Sequence, residues 1–319
     1  SLLSSCSATL QSGSSSNSRL SRLSVCQKMK ILLVRHAQSG NNIVQATVHK
    51  KFAAGVTTEA QAQEEWLSLR MDDPGLSQDG LAQLAKLRKH CGKLRKKAQI
   101  NGKIKMICSP MTRACQTAKA VSEALGVPVV EVRGELCEVG GIYTVERKQH
   151  AGGSAFSKVP GRAMSAQEIQ TKFAGFDTSK LPPQGPWDMA RGFEDTNAAV
   201  ERARRVAAWL RMPELHKEVG PNGVLIIVSH ADFLALLMAA LYNVQVADAS
   251  MNPDSEMSAH GVSECTLQQE ISNNAASVYQ KFRISLAATT LLYVGEKGEF
   301  AVEWMNKRSH LQDKGCSIA

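Results

Sequence analysis

No stretch of this chain stays apolar long enough to cross a membrane. The longest such run, FLALLMAALY (residues 233–242), stops at ten residues, against the ~18–20 a membrane helix needs. Paired cysteines are missing as well. Eight cysteines are scattered over 319 residues without one C-x-x-C, which argues against a dense disulfide framework or a paired-cysteine zinc site and points to free thiols in a reducing compartment. Neither a G-x-x-x-x-G-K-[ST] phosphate loop nor H-E-x-x-H is present, so nucleotide-loop and zinc-protease chemistries lack their carriers. The first 28 residues hold no acid at all, only eleven serines, two arginines and one lysine among the polar and charged types that matter here. That composition suits a disordered leader or the end of an organelle transit peptide. A mis-started chain fits equally well, because Ser1 opens the sequence and Met29 stands directly before the first apolar run. The expected compartment is the cytoplasm, or a plastid or mitochondrion if the leader is a transit peptide.

The rest of the chain has the balance of a globular protein, 43% apolar and 21% charged. The leader carries three of the nine net positive charges, leaving about +6 for residues 29–319. Much of this excess lies in LAQLAKLRKHCGKLRKKAQ (residues 81–99), where Leu81, Leu84, Leu87, Cys91 and Leu94 recur at helical spacing with Lys86, Lys89, Lys93 and Lys97 on the wetter side. Such a run reads as a solvated helix face. No aromatic side chains interleave with the charges, so a nucleic-acid surface is not expected.

Short aliphatic and β-branched runs occur at residues 30–36, 104–109, 127–132, 224–230, 289–294 and 299–305. Their near-continuous apolarity implies strands covered on both faces. Helical patterns fall between them: residues 77–98 after the capping Ser77, residues 111–125 closed by Gly126, residues 197–212 stopped by Pro213, and residues 231–242. Strands alternating with helices predict a three-layer α/β/α sandwich around a largely parallel sheet. Residues 140–196 and 244–281 fit this scheme poorly and read as insertions, of the kind that form lids or disordered segments.

Three of the predicted strands end in chemistry. KILLVRH delivers Arg35 and His36, IKMICS ends in Ser109 shortly before Arg113, and VLIIVSH ends in His230. Ligands in open α/β sheets bind beyond the carboxyl ends of the strands. Taken singly, a histidine at a strand end is a structural residue and an arginine in a first helical turn is solvated. Together on neighbouring parallel strands they would surround an anion, and phosphate matches the arginine fork. The helices starting near 111 and 231 would add backbone N–H donors.

RHAQSGNN (residues 35–42) resembles the signature of the histidine phosphatase superfamily, the phosphoglycerate mutase-like enzymes. DPGLSQDGLAQLAKL, CSPMTRACQTA and VSHADF resemble its further blocks, in the expected order. The resemblance implies that His36 is a nucleophile forming a phosphohistidine. It also implies that Arg35, Arg113 and His230 hold the phosphoryl oxygens, and that Asn42 helps bind the phosphate. The proton donor falls in ELCEVGGIY, where Glu138 fits the family pattern and Glu135 is the fallback. No cofactor and no metal are implied. The partner is a phosphorylated substrate, small molecule or phosphoprotein, with neither nucleic acid nor membrane involved; the oligomeric state is left open.

Two departures stand out. Ala37 and Ala231 occupy positions where the family commonly has glycine, which alanine can fill provided φ is negative. Cys108 stands before Arg113 with four residues between them, one short of a cysteine phosphatase loop, and so reads as a buried strand residue. Three functions follow: a phosphomonoester hydrolase, a mutase, or a non-catalytic phospho-ligand module. A mutase would need extra cations, for which Arg147, Lys148, Lys158 and Arg162 are candidates. Asn41 stands where true mutases commonly carry a tryptophan, which favours hydrolysis. An intact Glu138 argues against a pure binder.

Overall fold

The computed structural model describes residues 28–96, 102–150, 153–182, 194–242, 278, 281–295 and 299–311. The Ser-rich leader up to residue 27 and nearly all of the second insertion lie outside them. Seven strands form one sheet in the order β6-β3-β2-β7-β1-β8-β9: β1 (Lys28–Arg35), β2 (Ile104–Cys108), β3 (Val130–Val132), β6 (Phe176–Asp177), β7 (Val224–Ser229), β8 (Thr289–Gly295) and β9 (Phe300–Lys307). The pairings β1–β7, β7–β2, β2–β3 and β3–β6 are parallel, whereas β8 and β9 join antiparallel at one edge. A largely parallel sheet is therefore present as predicted.

Alternation explains the continuous apolar runs. Along β1, Ile31 and Leu33 point into one core and Leu32 and Val34 into the other; along β7, Leu225 and Ile227 oppose Val224, Ile226 and Val228 in the same way. Helices α6 (Thr196–Leu210) and α8 (Ala231–Leu241) pack on the first face, and α3 (Gln78–Lys96) and α4 (Thr112–Leu125) on the second. This is the expected three-layer sandwich. Gly126 closes α4 in the left-handed region at φ 63°, where glycine carries no Cβ penalty. Leu81 departs from the predicted stripe on α3: it is 49% exposed, and the buried face runs instead through Gly80, Leu84, Leu87, His90, Cys91 and Leu94.

The segments added around this sandwich are more regular than the sequence suggests. Residues 40–53 and 59–69 form a helical pair, α1 (Gly40–Ala53) and α2 (Glu59–Leu69). The first insertion is no structureless loop: β4 (Tyr143–His150) and β5 (Gly153–Pro160) make a separate antiparallel hairpin, followed by α5 (Ala166–Lys172) and β6. Pro213 does not merely stop α6. It occupies the first turn of a further helix, α7 (Pro213–Val219), where its missing N–H costs nothing. Among the described residues no helix is long and apolar enough to cross a membrane.

Candidate active site

Strand register builds the site. Arg35 is aligned with Ser229 across β1 and β7, so the next residues, His36 and His230, leave the sheet side by side. The His36 amide donates to Ser229 O at 3.0 Å, and the two imidazole centroids lie 5.0 Å apart with their planes tilted by 56°. On the other side of β7, Cys108 aligns with Val228 and Ser109 N donates to Val228 O at 3.0 Å. This brings the Ser109 hydroxyl to 2.8 Å from His230 Nε2. Both histidines are at most 2% exposed.

The protonation of His36 follows from its partners. Its Nδ1 lies 2.7 Å from Ala37 O, an oxygen that can only accept, so Nδ1 carries the proton and Nε2 presents a lone pair. Arg113 Nε donates to that lone pair at 3.3 Å. Burial, then the charges of Arg113 and Arg35, hold the His36 pKa well below the usual imidazole value. The pKa of His230 is depressed first by burial, then by Arg113. Both rings are thus neutral near pH 7. His230 Nδ1 is buried and has no hydrogen-bond partner among the described residues.

The cations are held from behind. Arg35 donates from Nη1 to Ile284 O at 3.0 Å, and Arg113 Nη1 lies 3.7 Å from Asp73 Oδ1. Asp73 also accepts from Thr112 N and from Thr112 Oγ1. Its own pKa is raised, burial outweighing the Thr112 bonds and the Arg113 charge. At each of the two helix N-termini one amide is already held by a carboxyl group. Asp73 takes the Thr112 amide at the start of α4, and Glu138 takes the Phe233 amide at the start of α8 at 3.0 Å.

Glu138 Oε1 accepts from its neighbour Val139 N as well, also at 3.0 Å, and its charge is felt at Arg113. The fallback acid, Glu135, has a side chain 51% exposed and sits 3.9 Å from Arg133. Asn42 turns its Oδ1 back to Ser39, accepting from both N and Oγ. That bond caps α1, and only its amide nitrogen is left for an anion. Ala37 and Ala231 both avoid positive φ, so the two missing glycines cost the backbone nothing. Cys108 is a fully buried strand residue.

The remaining motif residues brace the His36 loop. Ser77 N donates to Gln38 O at 2.9 Å, and Gly80 lies so close that a Cβ there would stand 2.1 Å from the same oxygen. Thr117 accepts the Ala37 amide at 3.2 Å and donates to Arg113 O at 2.8 Å. Of the cations a mutase would recruit, Arg162 is paired with Glu168 with its side chain 83% exposed, and the Lys158 ammonium lies 5.1 Å from the Tyr143 ring centre. The side chains of Arg147 and Lys148 lie outside the described residues. Sequence reasoning missed Asp73, Arg202 and Glu194. The only local signal was an acid before a proline for Asp73, a charge on an amphipathic helix for Arg202, and an acid just ahead of that helix for Glu194.

Residues 31–144 match the profile of the histidine phosphatase superfamily, branch 1. No curated protein matches the chain. Among solved structures, the ecdysone phosphate phosphatase from Bombix mori, in complex with tungstate, is 13% identical and superposes with a TM-score of 0.51, covering 91% of this chain and 98% of its own. A mycobacterial glucosyl-3-phosphoglycerate phosphatase gives 16% identity and 0.45 over 88% and 100%. A phosphoglycerate mutase from Bacillus anthracis gives 14% and 0.45 over 90% and 96%. At these identities the likeness is one of fold. Residues 31–144 hold three of the four motif blocks, and over that segment the chain is similar to the histidine phosphatase superfamily.

Proposed function

We propose that the protein is a phosphomonoester hydrolase working through a phosphohistidine on His36. The observation that carries this reading is the tautomer. The bond from Nδ1 to Ala37 O leaves the Nε2 lone pair facing the Arg113 guanidinium, with His230 across from it. A bound phosphoryl group would take over the Arg113 donor, and Arg35, Arg113 and His230 Nδ1 would carry the charge of its oxygens. Nε2 attacks phosphorus, the bond to the ester oxygen breaks, and that oxygen leaves with the proton of Glu138. Oε1 of Glu138 is occupied by two N–H donors, so the proton in transit belongs on Oε2. Water then attacks phospho-His36, gives its proton back to Glu138, and frees inorganic phosphate.

The arginines supply the positive charge in this scheme, with the neutral His230 ring as a further N–H donor, and no metal takes part. Release of phosphate from p-nitrophenyl phosphate should therefore persist after treatment with a chelator, and His36→Ala should lower kcat by roughly 10⁴-fold or more. Quenching a radiolabelled reaction in alkaline detergent should trap a base-stable, acid-labile phosphoenzyme on the wild type alone. Binding of phosphate without turnover would instead support a non-catalytic module. With 3-phosphoglycerate and a bisphosphate primer, phosphate release should outpace isomerisation; the reverse would make the protein a mutase. Hydrolysis is favoured because Asn41, at the position of the mutase tryptophan, is bonded through both side-chain atoms to the Met71 backbone.

A further inference from the structure

The loop that carries Glu138 is tied down through its own backbone, and the ties come from elements far away in the chain. Four consecutive carbonyls are held. Ser229, the residue before His230, donates its hydroxyl to Leu136 O at 2.7 Å. Arg202 on α6 takes the other three, donating to Glu135 O at 2.7 Å, Cys137 O at 2.9 Å and Glu138 O at 3.5 Å. Glu194 locks the guanidinium from the opposite side in a two-point pair at 2.7 and 2.5 Å. The guanidinium also lies 4.5 Å from the ring centre of Phe233, whose amide holds Glu138 Oε1. Arg202 is 9% exposed. All five of its donors are directed by a planar fork, which no lysine could reproduce.

We infer that Arg202, fixed by Glu194, is the positioning residue of the proton donor: it sets where the Glu138 carboxyl stands relative to the leaving oxygen. It touches no substrate itself. The inference rests on Glu138 acting as the acid, as proposed above. An acid displaced by about 1 Å still leaves His36 and the cations in place, so the loss should fall on the two proton transfers of Glu138, and kcat/KM, which reports only the first half-reaction, isolates protonation of the leaving oxygen. A role confined to holding the fold together would slow every substrate alike.

Two aryl phosphates of similar size separate these outcomes in the full-length protein. The leaving oxygen of p-nitrophenyl phosphate departs without a proton, whereas that of phenyl phosphate needs one. Arg202→Gln should lower kcat/KM for phenyl phosphate at least tenfold more than kcat/KM for p-nitrophenyl phosphate. Added to Glu138→Gln, it should cost nothing further on phenyl phosphate. Arg202→Lys should not rescue. If Arg202→Gln fails to fold, Glu194→Gln decides in its place, with the same selective loss expected to a smaller degree. Equal slowing of both substrates, or additive losses in the double variant, would overturn the inference. Selective loss in Glu138→Gln without it in the Arg202 and Glu194 variants sinks this inference alone; no selectivity in Glu138→Gln sinks the acid assignment together with it.

Discussion

A single proton determines what His36 can do. With Nδ1 committed to Ala37 O, the ring is available for the proposed attack whenever it is neutral, and burial, then the charges of Arg113 and Arg35, hold its pKa well below the usual imidazole value. The sign is plain: lowering the pKa moves the inactivating protonation to lower pH. The acid limb of the kcat/KM profile should therefore lie below pH 6.5, the ordinary imidazole value. A limb at or above that value would mean His36 is not the titrating nucleophile. Ser109 offers a second check. Its hydroxyl lies between His230 Nε2 and the Met111 amide, accepting from the latter. Ser109→Ala should release the second imidazole and lower kcat about 10- to 100-fold, with little change in melting temperature. Residue by residue, legibility depended on side-chain type at strand ends. His36, Arg35, Arg113 and His230 announced themselves because cationic and imidazole groups are costly at the end of an apolar run. Arg202 gave no such signal, since what it grips is main-chain oxygen, and any sequence at residues 135–138 offers that.

At the scale of elements, the His36 loop is shaped as much by α3 and α4 as by β1. Gly80 is required where α3 starts because the Gln38 carbonyl occupies the space of a side chain. Gly80→Ala should cost about 1–3 kcal/mol of stability through overpacking and also slow turnover, since the loop must shift to admit the methyl group. A melt and an aryl phosphatase assay on the same sample test both; an active, fully stable variant would show that the loop can yield freely. The long amphipathic helices and the β-branched strands were legible from their periodicity. Helix α1 was not, because GNNIVQATVHKKFA has no apolar stripe and buries only Val48. Its start is set by the reciprocal bonds of Ser39 and Asn42, a signal of spacing, not of hydrophobicity. The hairpin of β4 and β5 escaped because its two strands form a sheet of their own, apart from the central sheet whose apolar runs marked the other strands.

Across the whole molecule, the C-terminal end of the described fold meets α3 at a histidine stack. His90 on α3 and His310 after β9 lie 4.2 Å apart, nearly parallel at 11°. Burial first, then the neighbouring His310, Lys307 and Lys93, push the His90 pKa down to about 4. Between pH 6.5 and about 4 the unfolded chain takes up a proton at this position and the folded chain does not, so stability falls as the solution is acidified through that window. The melting temperature should drop between pH 7 and 5, and His90→Gln should flatten that slope; an unchanged slope would remove His90 as its source. His310 also donates to Ala287 O, while the Ala287 amide donates to His36 O and the neighbouring Ala288 carbonyl accepts from Arg35 N. Every one of the four motif blocks lies before residue 234, yet both members of the leading pair, Arg35 and His36, lean on residues 284–288. During synthesis, then, a growing polypeptide that has already emitted all its signature blocks still lacks the main-chain partners of Arg35 and His36, and the proposed phosphoryl transfer would have to wait until residues 284–288 have left the ribosome.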